Sequence, residues 1–377
     1  MKILISGGGI AGMTAANLLN AQGHEVIVLD KARQYNDAGF VLSLKSFGVD
    51  ILSEMGFEDE LRKRETITEY VNFMKPDGIL IRQISFDTFN QKLSKSIFAT
   101  HAAIHNVICN SVAGKVQILM NTSITDCTQE NDSITVSISD GQTIKPDLLI
   151  IAEGLHSPTR KKLFTNAHFE DSNISYLAGR VQKKHDYKLG VFKWFLGVGK
   201  MLAILPLSEN EIALHSYTRN SNDVVQADAK ELLTSSFSEF DNEVQDLIRE
   251  VIEKGVLFTD KVGMIHSENL VNGRVILLGD AGYCATPLSG MGASLSIYGA
   301  KALSHFIEKN PTNIQMALHN YNQLMQPIIA KFQSNAKRAA ASLLPKSAWQ
   351  HWLTSFMFKL APRSVITNRM SKEFGLT

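Results

Sequence analysis

Only three cysteines occur in the chain: Cys109, Cys127 and Cys284. Their odd number, wide separation and lack of metal-ligand spacing argue against a disulfide framework or a zinc site. A reducing, cytoplasmic location is expected. No run of about eighteen apolar residues is present, so no integral membrane segment is expected. "KILIS" at the start is too short for the apolar part of a signal peptide. Charge of one sign is missing too: 38 basic residues face 37 acidic ones, which leaves no broad positive field to gather nucleic acid. Internal repeats and low-complexity tracts do not occur. The composition, 44% hydrophobic and 20% charged over 377 residues, is that of a soluble globular protein large enough for two domains.

The first thirty or so residues carry one βαβ start. "KILIS" reads as a short, buried parallel strand. Apolar residues at Met13, Ala16 and Leu19 give a helix from Ala11 to Gln22, stopped by Gly23, and "EVIVLD" is the second strand. After a loop containing Gly39, residues 37–64 are expected to be helical. A mixed stretch from 66 to 100 turns at "KPDG", and "SKSIFATHAAIHNVICNSVAG" resumes a helical period. "QILMNTSITDCTQ", "DSITVSIS" and the turn Asp140-Gly141 lead into the buried strand of "DLLIIAEG". From about 171 to 268 the pattern changes to aromatic-bearing strands with a helical stretch near 228–254, which reads as a separate sheet. "GRVILLGDAG" returns to the buried type, and helices fill most of the remainder.

The fold class is therefore α/β: a Rossmann-like nucleotide-binding domain interrupted by an α+β substrate domain, with C-terminal helices. Residues 1–70, 101–170 and 269–340 fall to the first domain, 71–100 and 171–268 to the second, and 341–377 to a helical tail.

Gly7, Gly9 and Gly12 fit G-x-G-x-x-G between a strand and a helix. The first permits a tight turn, the second lets backbone approach a pyrophosphate, and the third lets helix pack on strand. Ile10 and Ala11 open that helix, whose N-terminus offers free N–H groups and a positive dipole end. Asp30, with Lys31 beside it, ends the second strand where a carboxylate can accept from an adenosine ribose. This motif alone suits NAD and FAD equally.

"RVILLGDAGYCATPLSGMGASLSIYGAKALSHFI" decides between them. A buried strand ends in Gly279-Asp280, a loop with Pro287 follows, and Gly290, Met291, Gly292 and Ala293 open another helix. Asp280 can accept from ribityl hydroxyls, and a helix N-terminus near Gly292 stabilises negative charge on a reduced ring. An NAD dehydrogenase needs neither.

Together with "DLLIIAEGLHSPTR" at 147–160, these motifs resemble in order and spacing the FAD-dependent aromatic hydroxylases. Those are single-component flavin monooxygenases of the p-hydroxybenzoate hydroxylase fold. The resemblance covers about residues 1–340, and "GDAGYCATPLSGMG" and "EGLHSPTRKKLF" are most similar to the tetracycline-inactivating branch. It implies bound FAD, NADPH or NADH and O2 as co-substrates, and oxidation of a small aromatic or polycyclic molecule. It implies no catalytic side chain and no metal, because the cofactor carries the chemistry and the protein supplies position, dryness and electrostatics.

Several positions depart from the family pattern. Glu153-Gly154 stands where the family has Asp-Gly, while Ser157 and Arg160 match; outside the resemblance Arg160 reads as a surface salt bridge. "AGFVLSLK" puts Ser43 and Lys45 in place of an acid and an arginine, and lysine keeps the charge but loses the planar fork. His101 replaces a flavin-contacting arginine at a helix start, and Tyr283 replaces a frequent histidine. Lys45 and His101 are thus flavin neighbours by position. A histidine near the ring should make the flavin potential pH-dependent around its ordinary pKa of about 6.5. The departures also admit a relative that holds flavin weakly or not at all, or another flavin enzyme such as a reductase. A flavin halogenase is set aside because its Trp-x-Trp-x-Ile-Pro signature is missing.

His101, His105, His156 and His266 invite a reading as general bases, but this chemistry needs none, so structural roles are expected. Phe192, Trp194 and Phe195 read either as sheet core or as the wall of an aromatic pocket. "SAWQHWLTSFMFKLAPRSVITNRMSKEF" has apolar residues at helical spacing with basic ones between. It fits a helix packed across two domains, or a segment lying on a membrane surface.

Overall fold

The computed structural model describes residues 1–35, 41–86, 96–130, 133–219 and 228–362. The expected start is present as β1 (Lys2–Ser6), α1 (Ile10–Ala21) and β2 (Glu25–Asp30). β1 and β2 pair in parallel, Lys2 opposite Glu25 through Ser6 opposite Leu29. Gly23 takes φ +83° just past α1, a left-handed conformation that glycine enters without steric cost.

Next come β3 (Val41–Leu44), α2 (Ser46–Glu54), α3 (Glu58–Lys63), β4 (Thr68–Met74), β5 (Leu80–Ser85), β6 (Ile97–Thr100) and α4 (His101–Val112). The helical expectation for 37–64 fails at its start, because β3 pairs antiparallel with β6, Val41 opposite Thr100 and Leu44 opposite Ile97. Val41, Ile97 and Phe98 are strand formers, and pairing with a distant segment overrides the local pattern. The Gly39 loop lies outside the described residues. The second helical stretch also begins as strand. Thr100 closes β6 and caps α4, its Oγ1 accepting from the Ala103 N–H at 3.1 Å, which contributes about 1 kcal/mol.

β7 (Gln117–Met120), β8 (Ile124–Glu130), β9 (Ser133–Ile138), β10 (Thr143–Ile144), β11 (Leu148–Ile151) and α5 (Pro158–Leu163) follow. Then come β12 (His168–Gln182), β13 (Gly190–Gly197), β14 (Lys200–Ser208), β15 (Glu211–Arg219), α6 (Ala229–Ser236), α7 (Asn242–Lys254) and β16 (Val256–His266). The described chain closes with β17 (Val271–Asn272), β18 (Val275–Leu277), α8 (Asp280–Tyr283), α9 (Gly292–Lys309), α10 (Ile314–Leu343) and α11 (Ala348–Leu360).

One sheet has the order β17-β18-β11-β1-β2-β7, and all but its β17 edge is parallel. Parallel strands bury both faces. Here Leu4, Ile5, Val28 and Ile150 share a core with Met13 of α1, Leu303 of α9 and Leu318 of α10. A second sheet, β16-β12-β15-β14-β13-β4-β5, is antiparallel except where β4 meets β13. One of its faces packs under α6 and α7 through Leu202, Leu214, Leu233 and Leu247. The other carries Phe73, Phe192, Tyr217 and Trp194 and meets Phe98 of β6, Leu288 and Leu343 of α10. That contact sets the second sheet against the loops of the first. No helix among the described residues is long and apolar enough to cross a membrane.

Candidate cofactor and substrate site

The glycine loop is built by close approach. Gly7 has φ +106°, and a Cβ there would lie 2.2 Å from the Ala152 carbonyl oxygen just after β11. A Cβ on Gly12 would lie 1.9 Å from the Gly7 carbonyl oxygen. No side chain fits at either position, so both glycines serve backbone packing. Around the Cβ position of Gly9, by contrast, nothing lies within 4 Å. That space opens at the start of α1, where Ile10 is buried, Ala11 half-buried, and no side chain caps the helix. Open backbone at an uncapped N-terminus suits a pyrophosphate.

Asp30 braces the same loop. Its Oδ2 accepts from the Gly8 N–H at 2.7 Å and its Oδ1 from the Ala32 N–H at 2.8 Å, leaving lone pairs for a ribose. Lys31 is exposed beside it. Two residues that no motif marks also lie here. Nε2 of the buried His105 donates to the Gly8 carbonyl at 2.6 Å, and Tyr35 meets the His105 ring edge-on at 4.5 Å.

The third motif closes on the first. A Cβ on Gly279 would lie 2.7 Å from the Cβ of Ala11, which brings the end of β18 against α1. The Asp280 carboxylate stands beside the N-terminus of α9, its Oδ1 3.7 Å from the Cβ position of Gly292. That helix, too, has no side-chain cap. Burial pushes the Asp280 pKa up, a folding cost that often marks a functional carboxylate. Thr286, just before Pro287, holds φ +64° and ψ 150°, a region almost closed to side-chain-bearing residues. Its Oγ1 is buried without a hydrogen-bond partner among the described residues. Gly290 has φ +60° and open space around it, Met291 is buried, and Ala293 is half-buried. Strain, an orphaned hydroxyl and open glycine backbone in one loop, with a half-buried carboxylate at the start of α8 beside it, fit the ribityl and ring half of FAD.

Beside this loop lies the aromatic face of the second sheet. Phe86 meets Phe98 at 5.0 Å and Phe192 at 5.8 Å, and Phe73 meets Trp194 at 5.7 Å. Tyr176 packs on Tyr217 at 4.8 Å, and its hydroxyl is 3.4 Å from Nδ1 of His215. Burial lowers the His215 pKa to about 4, so its imidazole is neutral. Phe195 does not join this face. Side chains alternate along a strand, and it lies on the opposite side beneath α6 and α7.

Residues 1–328 match the model of a family described as FAD binding domain. The chain belongs to this family of FAD-binding flavin monooxygenases. It is 25% identical to a flavin-dependent monooxygenase of Legionella longbeachae over 355 residues, covering 92% of this chain and 90% of that one. An FAD-dependent monooxygenase of Sarocladium schorii is 23% identical over 397 residues, covering 96% and 92%. The fold superposes on the crystal structure of tetracycline destructase Tet(55) with a TM-score of 0.83 and 22% identity, covering 100% of this chain and 98% of that one. Klebsiella pneumoniae HpxO complexed with FAD and uric acid gives a TM-score of 0.87 at 21% identity, covering 99% and 96%. The protein is an FAD-dependent monooxygenase, an oxidoreductase.

The departures of this monooxygenase from the family pattern take definite places. Glu153 is a clamp: its carboxylate accepts from Ser6 Oγ at 2.6 Å, Ser157 Oγ at 2.5 Å and Thr159 Oγ1 at 2.7 Å. Arg160 is no surface salt bridge. It is buried, and its Nη1 donates to the Ala281 carbonyl at 3.2 Å, bolting the middle motif to the third. Tyr283 is core, its hydroxyl 2.0 Å from the Cβ position of Gly299 in α9. The β3–β6 ribbon separates Lys45 and His101, which follow its opposite ends.

Lys45 belongs to the α9 end, its backbone N–H donating to Ser294 Oγ at 2.8 Å and its Nζ to Ser43 Oγ at 2.7 Å. Burial lowers its pKa to about 8. His101 stacks on His105 at 6.0 Å and so lies toward the glycine loop, with its pKa lowered to about 4 by burial and by His105. It does not titrate near pH 6.5. His156 pairs with Asp260 at 2.8 Å and His266 with Glu170 at 2.5 Å, which occupies both in structural contacts. Among the described residues no cluster could hold a metal.

Proposed function

We propose that this monooxygenase takes electrons from NADPH or NADH and oxygenates a neutral aromatic or polycyclic molecule. The substrate lies between the aromatic face of the second sheet and the Pro287–Ala293 loop. Residues 1–70, 101–170 and 269–340 hold FAD, and 71–100 with 171–268 hold the substrate. Bound FAD supplies hydride acceptance and oxygen activation; everything else falls to the chain. Gly9 and the α1 N-terminus take the pyrophosphate, Asp30 the ribose, and Asp280 accepts from the ribityl hydroxyls. Gly290, Gly292 and the α9 dipole face developing negative charge. Lys45 carries a proton on Nζ at that end of the site, while His101 stays neutral at the phosphate end. Phe192, Trp194 and Tyr217 exclude water and orient a flat substrate.

One observation carries the reading: Leu288, inside the strained loop, packs directly on this aromatic face, whose imidazole is neutral. A tetracycline-like polycyclic phenol belongs to the class such a wall accepts, a reading supported by the likeness to Tet(55). The test is FAD-loaded protein with NADPH, O2 and a panel of neutral polycyclic phenols and aromatic carboxylates. Neutral compounds should speed NADPH oxidation and gain one oxygen atom by mass. Protein that stays colourless in excess FAD would sink the reading, and stimulation by carboxylates alone would refute the neutral class.

A further inference from the structure

Two hydrogen bonds from or to the sheet seat the helix α11. His351 Nε2 donates to the Leu196 carbonyl of β13 at 3.0 Å, and Arg82 of edge strand β5 donates to the Ala361 carbonyl at 2.6 Å. Leu353, Thr354 and Ser355 are half-buried. The opposite side carries Trp349, Trp352, Phe356, Met357 and Leu360, each between 47% and 67% exposed. At 100° per residue these five fall on one stripe of the helix. Trp352 and Phe356 stack at 5.4 Å, so part of the stripe is already ordered. Edge strand β5 adds exposed Leu80 beside it, with exposed Ile79 just before. A helix of a water-soluble protein normally turns these faces the other way.

Charge says what covers the stripe. From Lys309 to Lys372 the chain has nine basic residues and no acidic one, although the whole sequence carries a net charge of only +1. Lys346 precedes α11 and Lys359 lies in its last turn, both exposed. Packing this face on a second copy would bring like charges together. Tryptophan and phenylalanine with interspersed lysine suit a bilayer interface, where aromatic rings sit at the headgroups and cations meet anionic lipid.

We propose that α11 docks this protein on the surface of an anionic phospholipid bilayer. It lies in the interface without crossing it, with Trp349, Trp352, Phe356, Met357 and Leu360 among the headgroups and acyl boundary. Apolar substrates would then be met where they partition.

FAD-loaded full-length protein should sediment with vesicles of equimolar phosphatidylcholine and phosphatidylglycerol, weakly or not at all with phosphatidylcholine alone, and be released by salt. Emission from Trp349 and Trp352, two of the three tryptophans, should shift to the blue and be quenched by brominated lipid. Trp352→Ser, Phe356→Ser and Leu360→Ser together should lower the partition coefficient by about tenfold or more while FAD absorbance stays unchanged. Lys346→Glu with Lys359→Glu should weaken binding to the anionic vesicles only. Wild type that ignores anionic vesicles, or a triple variant that binds as well as wild type, overturns the proposal. A concentration-dependent dimer that the same serine substitutions dissociate would assign the face to a second copy instead.

Discussion

Asp280 and Lys45 are both charged groups held against the preference of the fold, and each yields a test. Because burial raises the Asp280 pKa, the folded state binds its proton more tightly than the unfolded chain does. Stability from this group is therefore lost as pH rises from the ordinary carboxylate range through the raised value. Asp280→Asn should leave the apoprotein at pH 7 as stable or more so by thermal melt. The same change should weaken FAD binding about tenfold, since a charged acceptor to hydroxyls contributes about 1.5–3 kcal/mol. Equal FAD affinity would remove Asp280 from the site. For Lys45 the folded pKa near 8 lies below the usual 10.5. Between those values the unfolded chain binds the proton that the fold has shed, so apoprotein stability should rise with pH across that window. Lys45→Met should flatten the rise. In FAD-loaded protein the same change should lower the flavin potential below pH 8, whereas His101→Gln should have little effect on its slope between pH 5.5 and 8.5, because His101 titrates near 4.

At the level of elements, the β3–β6 ribbon and the loop between α8 and α9 do most to shape the site. The ribbon turns two positions that looked equivalent in sequence into two ends, one at α9 and one toward the glycine loop. The loop stores strain at Thr286, with φ +64°. Thr286→Gly should relieve it and stabilise the apoprotein by about 1 kcal/mol, read by urea unfolding, while loosening the loop and weakening FAD. Stabilisation without any change in FAD affinity would mean that the strain serves packing alone. The one-turn α8 works differently: Arg160 from α5 holds its Ala281 carbonyl, so the middle motif sets the position of Asp280 indirectly.

In the whole molecule the two sheets are joined by apolar contact through Phe98, Leu288 and Leu343, and the proposed cofactor lies along that seam. FAD at a hundred times its dissociation constant should add about 2.7 kcal/mol and sharpen melting into one transition by calorimetry. Two transitions that FAD moves independently would mean that the cofactor does not couple the sheets. A net charge near zero conceals a polarised chain, in which the acid-free stretch from Lys309 to Lys372 sets α11 apart from the rest.

Much of this was readable without coordinates, because glycine motifs encode backbone. Gly7 holds φ +106° and Gly12 admits no Cβ over the Gly7 carbonyl, Gly23 turns left-handed, and α9 begins at Gly292, all local requirements that spacing records. Sequence alone groups Phe192, Trp194 and Phe195, and the structure splits them, because side chains alternate along a strand and Phe195 falls on the other face. Tertiary structure decided what distant segments do to one another. Val41–Leu44 became strand only because Ile97–Thr100 lies beside it. Arg160 is buried because α5 docks on α8, and His105 and Tyr35 reach the glycine loop from helix and loop positions without a motif. Periodicity marked α11 as amphipathic, yet not which way it faces. Burial depends on what packs across a surface, and for α11 the seating on Leu196 and Arg82 turned the apolar stripe outward.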